Sequence, residues 1–188
     1  MKFNLYTLTT AAIFLLVAPA YFPIYAHNDH ENTSTQKQKL EDRQIVQIMM
    51  DVDKGEIATS KEALKKNMNK PVKLYALFLI QQHEGNLESL TQLAKEIGLE
   101  PTESPQSISM ASHGKQDLEK LSALNGVEFE KAFIDAMVKG HQGGLNLIDT
   151  KLSKEVHNSQ LKNFLINFRA MVADHLQKAL VLQKEYVK

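Results

Sequence analysis

VEFEKAFIDAMVKGHQGGLNLIDTKL, residues 127–152, decides the fold class. Its apolar residues Phe129, Phe133, Met137, Leu145, Ile148 and Leu152 recur at intervals of three, four and eight. That is the spacing of one buried helix face, not the alternation of a strand. Residues 159–186 (SQLKNFLINFRAMVADHLQKALVLQKEY) repeat the pattern with Phe164, Phe168, Met171, Ala179 and Leu182. Upstream, Ile45, Met49, Val52, Thr59 and Ala63 predict a first helix starting after Leu40. Asn69-Lys70-Pro71 interrupts it, with Pro71 suited to the first turn of a second helix. That helix carries Val72, Tyr75, Ala76, Leu79, Leu87, Leu90 and Leu93-Ala94, and should end at Gly98. Residues 99–114 (LEPTESPQSISMASHG) are rich in Pro, Ser and Thr and read as one long connection, followed by a short helix over 115–124. Two short turns and one crossover describe an all-α, ferritin-like four-helix bundle with a short extra helix, occupying residues 40–188.

Composition narrows the chemistry. Lys plus Arg and Asp plus Glu each total 22, so the chain has no basic field with which to hold a phosphate backbone, and no nucleic-acid partner is expected. The absence of Cys excludes disulfides, thiolate metal sites and thiol catalysis. It also suits an oxidising compartment.

The first 26 residues read as a secretory signal peptide. Lys2 precedes an apolar run, Leu5–Val17, then Pro19 and Pro23, and the segment closes on the small residue Ala26. A retained membrane anchor is the alternative, since residues 3–26 are long enough to span a bilayer. Two prolines and one flanking charge favour cleavage, leaving a periplasmic or secreted bacterial protein without stable membrane insertion. Residues 27–39 (HNDHENTSTQKQK) read as a polar, disordered leader. Its His27, as a new N-terminus, could chelate copper with His30 nearby, or could simply belong to a polar tail.

One polar residue breaks each apolar stripe. Glu56 follows Val52 by four and Met49 by seven. His83 stands between Leu79 and Leu87, His141 between Met137 and Leu145, and His175 between Met171 and Ala179, each four from both neighbours. In an antiparallel helix pair, two residues are level when their midpoint falls in the turn. For Glu56 and His83 that midpoint is 69.5, at Asn69-Lys70, and for His141 and His175 it is 158, inside the expected turn over 155–159. Each pair is therefore level within about one or two residues, roughly 1.5–3 Å. The crossover leaves open whether the two pairs share one layer.

Three imidazoles and a carboxylate suit Zn(II), Cu(II) or Fe(II). Asp174 and Glu84 flank their histidines and could accept a hydrogen bond from a ligating ring. Met137 and Met171 precede His141 and His175 by four, which brings thioether sulfur near imidazole and favours copper, although Met on such a stripe also serves as plain core. Five of the eight glycines, Gly55, Gly85, Gly140, Gly143 and Gly144, lie within three residues of these side chains. Close helix approach or room for a ligand would offset their cost of ~1 kcal/mol each in a helix. Two functions fit. One is a metal-binding bundle that buffers or carries a transition ion. The other is an envelope or stress-related interaction protein whose Glu/His layer is metal-free. An enzyme ranks behind both, because no nucleophile or open acid–base pair stands out.

The same residues resemble a known family. Gly55-Glu56, Gln82-His83, Leu121-Ser122-Ala123-Leu124 followed by Phe129-Glu130, Ala136–His141-Gln142 and His175-Leu176 are similar to the bacterial family called domain of unknown function 4142. The resemblance runs from Asp42 to about Lys184 and implies an exported, ferritin-like bundle, with no activity attached. Gln82 departs from the Asp that usually precedes this histidine, and Gly143-Gly144 replaces bulkier residues. The Glu-x-x-His pairs of a diiron site are missing, since Ile80, Val138 and Val172 stand three before the histidines. Three Ser-x-x-Lys matches lack the partner motifs of penicillin-binding proteins, and the basic run Lys61–Lys73 reads as a solvated helix end.

Overall fold

The computed structural model describes residues 39–187, so the signal peptide expected over 1–26 and all but the last residue of the leader lie outside the described residues. Six α-helices follow: α1 (Asp42–Leu64), α2 (Lys70–Glu96), α3 (Pro105–Ser122), α4 (Gly126–Leu147), α5 (Ser153–Glu155) and α6 (Ser159–Tyr186). A π-helical turn, Ile148–Leu152, joins α4 to α5. There is no strand among the described residues. The bundle is α1, α2, α4 and α6, with α1 packed on α2, α4 on α6 and α2 on α6.

Each boundary has a local cause. Pro71 occupies the first turn of α2, where its missing N–H costs nothing. Gly98, with φ of 70°, ends the helix in the left-handed conformation that a side chain would strain. Its neighbour Leu99 donates its backbone N–H to the Ala94 carbonyl at 2.8 Å.

The crossover differs from the sequence expectation. Residues 99–114 are mostly helical, because Ser104 and Pro105 start a helix instead of breaking one. Ser104 Oγ accepts from the Ser107 N–H at 3.1 Å, and the Ser104 N–H donates to Ser107 Oγ at 2.7 Å. That reciprocal cap, with Pro105 at the first helical position, extends the short helix expected over 115–124 to 18 residues. Its length is about 27 Å at the usual rise. The crossover needs that reach, because α2 and α4 run in the same direction. Likewise, the helix expected to run unbroken from Val127 to Leu152 leaves α-geometry after Leu147.

The core divides into two apolar halves. Ile45, Met49, Leu90, Ile148, Leu161 and Leu165 belong to one. Val72, Leu79, Phe129, Phe133, Ile134 and Ala179 belong to the other. Every bundle helix passes from one half to the other, and on each the change falls at a polar residue: Asp53 to Ser60 on α1, His83 on α2, His141 on α4 and His175 on α6. The helix pairs are also tied at both ends. Asp42 accepts the N–H groups of His157 and Asn158 at 2.8 and 2.7 Å. At the far end Glu130 accepts the Asn69 N–H at 2.5 Å, and Lys66 donates to the carbonyls of Ser122 and Leu124 at 2.6 and 3.0 Å. These ties hold α1 and α2 in fixed height against α4 and α6.

Candidate metal centre

His83, His141 and His175 converge in the layer between the two core halves. One ring nitrogen from each lies within 4.8 Å of the others. Ring centres stand 5.0 Å apart for His83 and His175, 5.4 Å for His141 and His175, and 6.4 Å for His83 and His141. His83 and His175 are 0% exposed and His141 is 3% exposed. The histidines of both helix hairpins therefore share one layer.

The three rings are held in different ways. His83 Nδ1 lies 2.8 Å from Asp53 Oδ1, and Asn86 Nδ2 donates to Asp53 Oδ2 at 2.7 Å. With both carboxylate oxygens accepting, His83 carries its proton on Nδ1 and points the Nε2 lone pair at the cluster. Burial holds the Asp53 carboxyl above its usual range, against the opposing pull of the hydrogen bonds from His83 and Asn86. His141 Nδ1 donates to the Met137 carbonyl at 2.6 Å, and a carbonyl can only accept, so Nε2 again carries the lone pair. His175 has no hydrogen bond to either ring nitrogen. Its backbone is fixed instead, since the Tyr75 hydroxyl donates to the His175 carbonyl at 3.0 Å. The Phe78 ring meets the imidazole edge-on at 5.2 Å. Burial, then the facing His83 and His141, then Lys178, push the His175 pKa down to about 3. The ring is neutral at physiological pH, as a metal ligand must be.

Glu56 lies beside this cluster and not within its tightest group. Its Oε2 is buried without a hydrogen bond, and it shares a cavity wall with His83 and His141. The remaining candidates do other work. Asp174 is exposed and pairs with Lys178 one turn along α6. Glu84 is also exposed and pairs with Lys61 at 2.7 Å. Neither carboxylate braces a histidine, because each projects from the outer face of its helix. The Met137 side chain belongs to the Phe129–Phe133 half of the core and contributes its carbonyl to His141. Met171 packs half-buried against the other half.

The brace on His83 comes from Asp53, which does not lie on the apolar stripe of α1. The midpoint of 53 and 83 is 68, inside the 65–69 turn and nearer its centre than the 69.5 of Glu56 and His83. Asp53 was thus the better-levelled partner, three residues before Glu56. Asn86 and Ser60 were missed too, and the Ser60 hydroxyl is buried without a hydrogen bond. Of the glycines, Gly55, Gly85 and Gly143 face open space. A Cβ at Gly140 would sit 3.7 Å from Glu56 Oε1, and one at Gly144 would sit 3.6 Å from Val172 Cγ1. Close helix approach therefore explains none of the first three.

The model of the family described as domain of unknown function DUF4142 matches residues 28–182. The chain belongs to that family. No curated protein matches this DUF4142 chain. Among solved structures it is similar to the crystal structure of a DUF305 fragment from Deinococcus radiodurans. The identity is 16%, the TM-score is 0.64, and the match covers 77% of this chain and 95% of that one. At that identity the likeness concerns the fold alone: a ferritin-like helical bundle.

Proposed function

We propose that this DUF4142 protein binds one transition-metal ion, Zn(II), Cu(II) or Fe(II), in the bundle core and serves to buffer or carry it. The ligands would be Nε2 of His83 and His141, a ring nitrogen of His175, and the Glu56 carboxylate. One observation carries this reading: Nε2 of His83, Nε2 of His141 and both ring nitrogens of His175 are buried without a hydrogen bond, and one ring nitrogen of each histidine lies within 4.8 Å of the others. A buried polar atom left unpartnered costs ~1–3 kcal/mol, and an ion would relieve three such costs at once. The Asp53 and Met137 contacts add support, because ligating histidines usually donate their second ring nitrogen to a carboxylate or a carbonyl.

A metal-free polar layer is the second reading, favoured by Asp53, which already has both oxygens satisfied by His83 and Asn86. Elemental analysis and melting of untagged protein separate the two. A His27→Ala/His30→Ala background keeps the leader from imitating the site. An ion at a hundredfold excess over its Kd should stabilise the fold by ~2.7 kcal/mol, roughly 5–10 °C for a domain of this size. His141→Ala should abolish the rise. An unchanged melting temperature across Zn(II), Cu(II) and Fe(II) would leave the metal-free layer standing.

The setting proposed for this activity is the periplasm or medium, reached through cleavage near Ala26. No helix of the described residues is long and apolar enough to cross a membrane. N-terminal sequencing of exported protein should read from His27, and a sequence starting at Met1 would refute export by cleavage.

A further inference from the structure

We infer that the ion site has one coordination position open to an adjoining apolar cavity, and that this position takes a small uncharged ligand the size of nitric oxide or dioxygen. The inference rests on the metal reading above and adds to it a second ligand.

A cavity of about 30 Å³ lies against the cluster, and His83, His141 and Glu56 form its polar side. The rest of the wall is apolar and includes Met49, Leu152, Phe168 and Val172. His175 does not line it, so the cavity meets the ion site from one side only. A single water needs about 10–15 Å³ and two to four polar partners. This space holds roughly twice that volume, and every polar group on its wall is one already assigned to the ion. A water there would gain no hydrogen bond from the apolar part of the wall, whereas an uncharged diatomic needs none.

Two features keep the space open. The π-helical turn Ile148–Leu152 displaces the end of α4, and both its first and last residues line the cavity. Such turns widen a helix at the cost of poorer geometry and recur at functional sites. Gly140 and Gly144 line the cavity as well. A Cβ at Gly144 would make only an ordinary contact with Val172, so packing does not demand glycine there. Alanine would be better for the helix by ~1 kcal/mol. What glycine supplies at this position is empty volume beside the ligands.

The test uses the full chain, loaded anaerobically with Fe(II), freed of excess iron by gel filtration, assayed for iron and exposed to nitric oxide. The wild type should show the half-integer-spin electron paramagnetic resonance signal of a high-spin iron–nitrosyl, close to one per bound iron. Gly144→Leu should retain iron while the nitrosyl signal at fixed nitric oxide falls about tenfold or more. Val172→Phe, which fills the same space from α6, should do likewise and guards against a folding defect in the first variant. Retained iron with no nitrosyl signal in the wild type would overturn the open position alone. Equal signals in the wild type and both filled variants would overturn the cavity's role. Failure of the wild type to take up Fe(II) would overturn the metal reading, and this inference with it.

Discussion

His83 and His175 face each other across the same layer, with ring centres 5.0 Å apart, and are held in opposite ways. His83 is locked by a buried carboxylate that is itself locked by Asn86. His175 has no partner on either nitrogen and is positioned only through its backbone and the edge of Phe78. The α1/α2 side of the layer therefore fixes one ring nitrogen of its histidine in a hydrogen-bonded chain and leaves the other open, while the α6 side fixes neither. Rings with buried nitrogens left open on every helix of the layer that carries a histidine fit a site that awaits a ligand better than a purely structural layer. A structural layer would gain from satisfying every member.

The largest effect expected from this contrast is on metal-free stability. His83→Leu leaves Asp53 buried with Asn86 as its one remaining bond, and stranding a buried carboxyl oxygen in this way costs about 3 kcal/mol, the upper end of the range for a lost hydrogen-bond partner. Urea unfolding of metal-free protein measures it. A loss under about 1 kcal/mol would mean that Asp53 is not held by His83.

His175→Leu should act in the opposite direction. Replacing an unpartnered buried imidazole by an apolar side chain removes desolvated nitrogens, so metal-free protein should gain about 1–3 kcal/mol while losing its ion. Stability gained together with binding lost is the pattern of a residue kept for function. Destabilisation in the same unfolding experiment would show that His175 has a partner after all.

The smallest effect is a slope with pH. His175 titrates near 3 in the fold and near 6.5 in the unfolded chain. Between these values the unfolded state binds a proton that the folded state does not. Metal-free stability is thus unaffected by this group above about pH 7 and falls as pH drops below 6.5, by up to ~1.4 kcal/mol per pH unit. Asp53, whose carboxyl is held high, works in the opposite sense above its unfolded pKa of 3.8. Unfolding wild type and His175→Leu side by side between about pH 5 and 7 isolates the histidine, and the slope attributed to it should vanish in the variant. Parallel curves would refute the depressed pKa.

The three histidines are legible in the sequence because a single polar residue with apolar neighbours four positions away on both sides is conspicuous. Asp53 is not legible in this way, because it sits beside the stripe of α1 instead of on it. The choice of Asp174 and Glu84 as braces failed for a related reason. Adjacent residues on a helix point about 100° apart, so a neighbour in sequence seldom shares a histidine's face. Ser104-Pro105 misled in another way, since residues that break a helix in its interior are also those that begin one.

The four bundle helices, their buried faces and the level of each histidine within its hairpin follow from the sequence alone, because periodicity and short turns are local. Tertiary structure decided that the two hairpins meet at one height, since the connection over 97–125 sets no register of its own. The end ties through Asp42, Glu130 and Lys66 supply that register. The cavity beside the histidines also belongs to tertiary structure. Its walls come from α1, α2, α4, the π-helical turn and α6 together, and the volume left between packed helices depends on all of their side chains at once.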